Sequence, residues 1–175
     1  ASGPTSATSI DVKIGIKKDG TITAGSAELR YASGPYLSMW AELGAMTSFA
    51  CYDLKNVRTR GYEVLVNRPK SAAYRAPSAP MAAFAVESVV DELAHKIGMD
   101  ALDVRIKNAA KQGTKSSYGP VYGPIGIGPT LEAARKLHAA GEGRFEVFDP
   151  NLQRNWRAPR SDADWERSPL PYARR

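Results

Sequence analysis

Between Ile10 and Ile16 the chain alternates strictly: Ile10, Val12, Ile14 and Ile16 are separated by Asp11, Lys13 and Gly15. Successive side chains of a strand point to opposite faces, so a period of two gives a strand one apolar face and one polar face. The same residues wound into a helix would have no coherent apolar stripe. Lys18-Asp19-Gly20 follows. An Asp-Gly pair between two strand-like runs marks a hairpin, because Gly accepts the positive φ that the tight turn needs. The return strand is expected from about Thr21 to Tyr31, which commits the start of the chain to antiparallel sheet.

The rest of the pattern is mixed. Residues 32–36 read as a turn, and residues 37–50, small, apolar and free of Pro, read as a helix. A third strand is expected from Val57 to Val66, with Val57, Tyr62, Val64 and Val66 as its apolar members. Residues 72–80 form a loop stiffened by Pro77 and Pro80. From Met81 to Ile97, Ala82, Ala85, Val86, Val89, Val90, Leu93, Ala94 and Ile97 recur at helical spacing, and Gly98 stands where a left-handed residue ends a helix. Asp100 is placed to cap a short helix through Leu102, Val104 and Ile106 to about Ala109. Residues 113–129 are rich in Gly, Tyr and Pro and read as loop. A last helix starts at Pro129-Thr130, carries Leu131, Ala134 and Leu137, and stops at Gly141. Hairpin, helix, strand, then helices is an α+β order and not a repeated βαβ one.

At 175 residues, 43% hydrophobic and 24% charged, the chain has the makeup of one soluble domain. Its apolar runs are far short of the roughly 20 residues a membrane span requires, and no signal-peptide pattern opens it. No membrane partner and a cytoplasmic location are therefore expected. The single cysteine, Cys51, excludes disulfide scaffolding. The net charge of +6 hides two regimes. Residues 1–140 scatter 17 basic and 12 acidic residues without the basic clusters and interleaved aromatics that nucleic-acid binding calls for. Residues 141–175 hold 7 Arg and no Lys, with two Trp, four Pro and six acidic residues. No apolar period runs through residues 151–175, so this tail is expected to be irregular or disordered, apart from a domain over residues 1–140. A non-catalytic basic module for an acidic partner or nucleic acid remains the alternative reading of the charge.

Conventional site chemistry is sparse. His95 and His138 lie on separate helices with no neighbouring ligand, which speaks against zinc. Cys51 has no His near it in sequence and reads as a buried structural thiol. Gly123 to Gly128 lacks the Lys-Ser/Thr of a phosphate-binding loop and follows no strand. The run from Ser71 to Pro80 is different. It sets small residues, Ala72, Ala73 and Ala76, immediately before a helix N-terminus, where free N–H groups and the positive end of the dipole can meet an anion or oxo group. A purely structural loop with Arg75 in a surface ion pair fits the same spacing.

Asn67-Arg68-Pro69, Ala73-Tyr74-Arg75-Ala76-Pro77, Glu87, Asp91-Glu92-Leu93-Ala94 and Gly98-Met99-Asp100 occur in this order, followed by Arg105 and Asn108. Together with the Asp19-Gly20 hairpin, Cys51-Tyr52 and Asn56-Val57-Arg58, they resemble the molybdopterin-binding large subunit of the xanthine dehydrogenase and aldehyde oxidase family. The resemblance covers roughly residues 9–140. It implies a molybdenum–molybdopterin cofactor, with Ala73, Tyr74 and Arg75 beside it and Ala76 and Pro77 on the substrate side. It also implies hydroxylation of an aldehyde or N-heterocycle with water as the oxygen source, electrons leaving through iron–sulfur and FAD subunits or domains. Aligned through Cys51, Leu43 stands where purine-oxidising members carry a substrate-pairing arginine, which implies a substrate other than a purine. The family's upstream Gly-Gly-Phe-Gly loop, its later pterin-binding segments and its late general-base Glu are absent from these residues. The resemblance therefore implies part of one cofactor-binding domain, with no catalytic residue of its own, inactive without the remaining large-subunit segments.

Overall fold

The computed structural model describes residues 3–139, 146–149 and 154–157. Strand β1 (Thr8–Ile16) and strand β2 (Ile22–Gly34) form the expected hairpin, antiparallel, with Ile10 opposite Leu29 and Val12 opposite Ala27. Gly20 turns the chain at φ 82°, and Asp19 fastens the turn by accepting from the backbone N–H of Thr21 at 3.0 Å. Strand β3 (Val57–Leu65) lies on the other side of β2 and parallel to it, giving the order β1-β2-β3. Parallel neighbours need a crossover, and helix α1 (Trp40–Thr47) supplies it, so one βαβ unit sits inside the α+β arrangement.

Helix α2 (Ala79–Ile97) covers the apolar face of the sheet. Its Ala82, Val86, Val90 and Ala94, four apart, are all buried with Ala27, Leu29 and Tyr31 of β2, while Ile10, Val12, Ile14 and Ile16 of β1 pack against them half-buried. Gly98 ends α2 in the left-handed region. The Asp100 side chain caps helix α3 (Ala101–Asn108), accepting from the N–H groups of Leu102 and Asp103. Helix α4 (Ile127–Ala139) follows the Gly-rich loop.

Boundaries move where tertiary pairing overrides local pattern. Strand β2 runs three residues past Tyr31, through part of the expected turn, because β3 offers partners to Ala32 and Gly34. Helix α1 is shorter than residues 37–50. Leu37 and Met39 stay exposed ahead of it, and Thr47 and Ser48 turn their hydroxyls back onto the Leu43 and Gly44 carbonyls where it ends. Helix α2 begins at Ala79 and not at Met81, since Pro80 in a first turn has no N–H to lose. Two short strands, β4 (Glu146–Asp149) and β5 (Arg154–Arg157), pair antiparallel inside the stretch expected to be irregular. A four-residue strand carries too few periods to show in local alternation. The rest of that expectation concerns residues outside the described ones. By contacts the chain divides into units of residues 1–132 and 133–175. No helix among the described residues is long and apolar enough to cross a membrane.

Candidate functional site

The loop between β3 and α2 is tied down at both ends and open between them. At its start, Ser71 is buried: its N–H donates to the Ser33 carbonyl at 3.2 Å, and its hydroxyl accepts from the Trp40 indole at 2.7 Å. The N–H of Ala72 donates to the Pro4 carbonyl at 2.9 Å. At its end, the fully buried Tyr31 passes under α1 and donates to the Ser78 carbonyl at 3.1 Å. Gly44 of α1 makes room, since a Cβ there would stand 2.4 Å from the Tyr31 oxygen. Between these anchors Ala73, Tyr74, Arg75 and Ala76 are exposed and Pro77 is half-buried. The structure thus brings all five expected site residues onto one projecting loop at the head of α2. Arg75 makes no ion pair among the described residues.

Two features of this loop were not legible beforehand. Ala76 and Ser78 both adopt positive φ, 58° and 67°. The left-handed region costs a residue with a Cβ about 1–2 kcal/mol, and such strain collects at binding loops held from both sides. The Ser78 side chain is buried at the head of α2 with no hydrogen-bond partner for its hydroxyl, and it does not cap the helix. Ser78→Gly is therefore expected to stabilise the chain by about 1 kcal/mol, strain and orphan hydroxyl relieved outweighing the added freedom of the unfolded chain. Ala76→Gly should gain less; urea denaturation of each variant measures the difference.

Burial raises the Tyr31 phenol to about 12. A group whose folded value lies above its unfolded value of 10 lends stability that is whole below pH 10 and is lost as pH rises toward 12. The loss should reach about 3 kcal/mol, read by denaturation at stepped alkaline pH, and Tyr31→Phe should flatten that part of the profile.

Two carboxylates organise the surroundings. Glu63 of β3 accepts from Ser33, from Ser38 at 2.6 Å and from the N–H of Ala41 at 2.8 Å, fixing the start of α1 against the sheet. Glu87 of α2 accepts from the Tyr52 hydroxyl at 2.8 Å on each oxygen and from Arg105 Nε at 2.7 Å. Arg105 also pairs with Asp91 at 2.7 Å. Cys51 lies 4.0 Å from Glu87 and is exposed, not buried, because the turns after α1 point it outward while Tyr52 goes in. Its crowded surroundings and the Glu87 charge nevertheless hold the thiol up at about 11, poor ground for a nucleophile. His95 is exposed, the His138 side chain lies outside the described residues, and no cluster of three metal-ligating side chains occurs among the described residues.

The described residues thus form a three-stranded sheet with one helical cover, and the exposed loop of residues 73–76 stands at the N-terminus of that helix. Residues 1–109 match the family model of the molybdopterin cofactor-binding domain, and the chain belongs to that family. It is 38% identical over 114 residues to an aldehyde oxidoreductase from Megalodesulfovibrio gigas, 63% of this chain and 12% of that protein. It is 34% identical over 128 residues to the nicotinate dehydrogenase large molybdopterin subunit of Eubacterium barkeri, 71% of this chain and 30% of that one. The solved aldehyde oxidoreductase from Desulfovibrio gigas superposes with a TM-score of 0.72 at 34% identity, over 79% of this chain and 16% of that one. The chain thus spans less than a third of these relatives, and its cofactor class is molybdenum–molybdopterin.

Proposed function

We propose that this chain is the cofactor-holding portion of a molybdenum hydroxylase that oxidises an aldehyde or N-heterocycle with water as the oxygen source. The observation that carries this is the loop itself: Ala73, Tyr74 and Arg75 are exposed, small or unpaired, and anchored at both ends, directly before the N-terminus of a 19-residue helix. A bulky anionic cofactor fits these residues. Ala73 lets it approach the backbone, Arg75 offers an uncommitted guanidinium to its oxygens, and the helix end adds positive potential. The buried, unbonded Ser78 hydroxyl and the strain at Ala76 fit a loop whose shape is kept for a ligand. When bound, the cofactor supplies the redox chemistry and the protein supplies position and electrostatics.

Tyr74, whose hydroxyl reaches Met81 Sδ at 3.7 Å, gives one wall of the approach. Ala76 and Pro77 border the substrate side, where small apolar groups leave space for a substrate ring or carbonyl. Leu43, half-buried on α1, offers no charge to a purine and favours an uncharged aldehyde or heterocycle. The family's general-base Glu lies in a segment the resemblance does not reach, so on this reading the chain works with the remaining large-subunit segments and with iron–sulfur and FAD subunits or domains, in the cytoplasm.

The purified 175-residue chain is expected to contain no stoichiometric molybdenum by mass spectrometry and to turn over no aldehyde. Assembled with the remaining subunit segments, it should gain both, and Arg75→Ala should lower molybdenum occupancy about tenfold, the loss of one charge-assisted contact. Stoichiometric molybdenum with aldehyde turnover in the chain alone would overturn the requirement for other segments. Unchanged occupancy in Arg75→Ala would remove that residue from the site.

A further inference from the structure

After α3 the chain folds back into a small hairpin. Gly113 N–H donates to the Tyr122 carbonyl at 2.9 Å, Tyr122 N–H to Thr114 at 2.9 Å and Ser116 N–H to Pro120 at 2.8 Å. This hairpin and the segment leading into β3 enclose a surface cavity of about 620 Å3. None of its lining residues belongs to the Ala73–Pro77 loop.

The lining is basic and under-bonded. Lys55, Lys111 and Lys115 face a single carboxylate, Asp53. Lys111 Nζ stands 3.9 Å from Asp53, at the limit of an ion pair, and neither Lys55 nor Lys115 has an ion pair among the described residues. The Ser116 and Ser117 hydroxyls, also in the lining, are buried without a hydrogen-bond partner. Ser116 is 5% exposed and lies beside the Tyr122 phenol, which gives its proton to the Ala50 carbonyl at 2.8 Å and has an oxygen lone pair turned to Ser116, so Ser117 is the donor with no neighbour of its own. A buried hydroxyl without a partner is unfavourable, and three ammonium groups around one carboxylate leave excess positive charge. A ligand with several negative acceptor oxygens would offset both at once.

We propose that this cavity is a second ligand site, for a phosphate-bearing small molecule. A phosphate is tetrahedral, doubly charged near neutrality and accepts from several directions, which suits separate ammonium and hydroxyl donors better than a planar carboxylate does. The volume lies within the range of about 300–1,000 Å3 typical of small-ligand sites, which favours a phosphomonoester over the bare ion. Asp53 then acts as a competitor for Lys111 and sets the affinity.

Isothermal titration of the full chain at low ionic strength with inorganic phosphate, adenosine 5′-monophosphate and adenosine tests this. Phosphate and the monophosphate should each saturate one site, the monophosphate more tightly, and adenosine should give no saturable heat. Lys55→Ala with Lys115→Ala, both exposed positions, should weaken binding about tenfold with an unchanged circular dichroism spectrum. Asp53→Asn should tighten it about threefold, a gain that misfolding could not produce. The proposal is overturned by the absence of saturable binding of either phosphate compound, by equal binding of adenosine, or by an affinity indifferent to the lysine pair and to Asp53.

Discussion

Asn108→Ala should cost the chain about 3–4 kcal/mol of stability, enough to unfold a marginal domain at room temperature. Its buried side chain accepts from the Ile22 N–H at 2.9 Å and donates to the Gly20 carbonyl at 2.8 Å and the Val104 carbonyl at 2.7 Å. It therefore binds the hairpin turn to the end of α3 across 88 residues of sequence. Alanine would leave the Ile22 N–H and the Gly20 carbonyl buried with nothing to bond. Asn108→Asp, which keeps the acceptor and loses the donor pair, should be as damaging at neutral pH. Urea denaturation measures both, and a loss below about 1 kcal/mol would mean that water replaces the side chain.

Arg105→Ala should be the second large loss, about 2–3 kcal/mol. The guanidinium neutralises Glu87 and Asp91 and bonds the Ala101 and Glu87 carbonyls at 3.1 and 3.3 Å. Without it, Glu87 would be left half-buried with only the Tyr52 hydroxyl and the Cys51 thiol as donors. Tyr52, held far above its ordinary value by burial and then by Glu87, stays protonated and donates throughout the neutral range. Partial solvent contact at Arg105, 20% exposed in its side chain, keeps the figure below that of a fully buried pair. A cycle with Glu87→Gln separates the pair from the rest: Arg105→Ala in that background should cost about half as much.

Sequence reading reached the helices and the hairpin because each depends on near neighbours. The spacing of Ala82, Val86, Val90 and Ala94 declares a buried stripe, and the Asp100 cap and the Gly20 turn act within three residues of themselves. It reached the Ala73–Pro77 loop through small residues before a helix and through motif order. It did not reach the parallel placement of β3 beside β2, the exposure of Cys51 or the β4–β5 pairing, all of which need partners far along the chain or too few residues to form a period. Nor did it single out Ser78, Glu63 or the lysine-lined cavity. Ser-Ala-Pro and isolated lysines are ordinary surface text until folding brings them together.

What the sequence by itself determined is the kind of element each stretch forms and the family it belongs to, since side-chain period, caps and motif order are properties of consecutive residues. What only the tertiary structure decided is which groups are left without partners. Among the described residues Arg75 has no ion pair and the Ser78 hydroxyl is buried and unbonded, and Ala76 adopts a positive φ in a loop that Tyr31, Ser33 and Trp40 anchor from elements more than 30 residues away. Unsatisfied charge, hydrogen bonding and backbone strain arise from the balance among all neighbours in space.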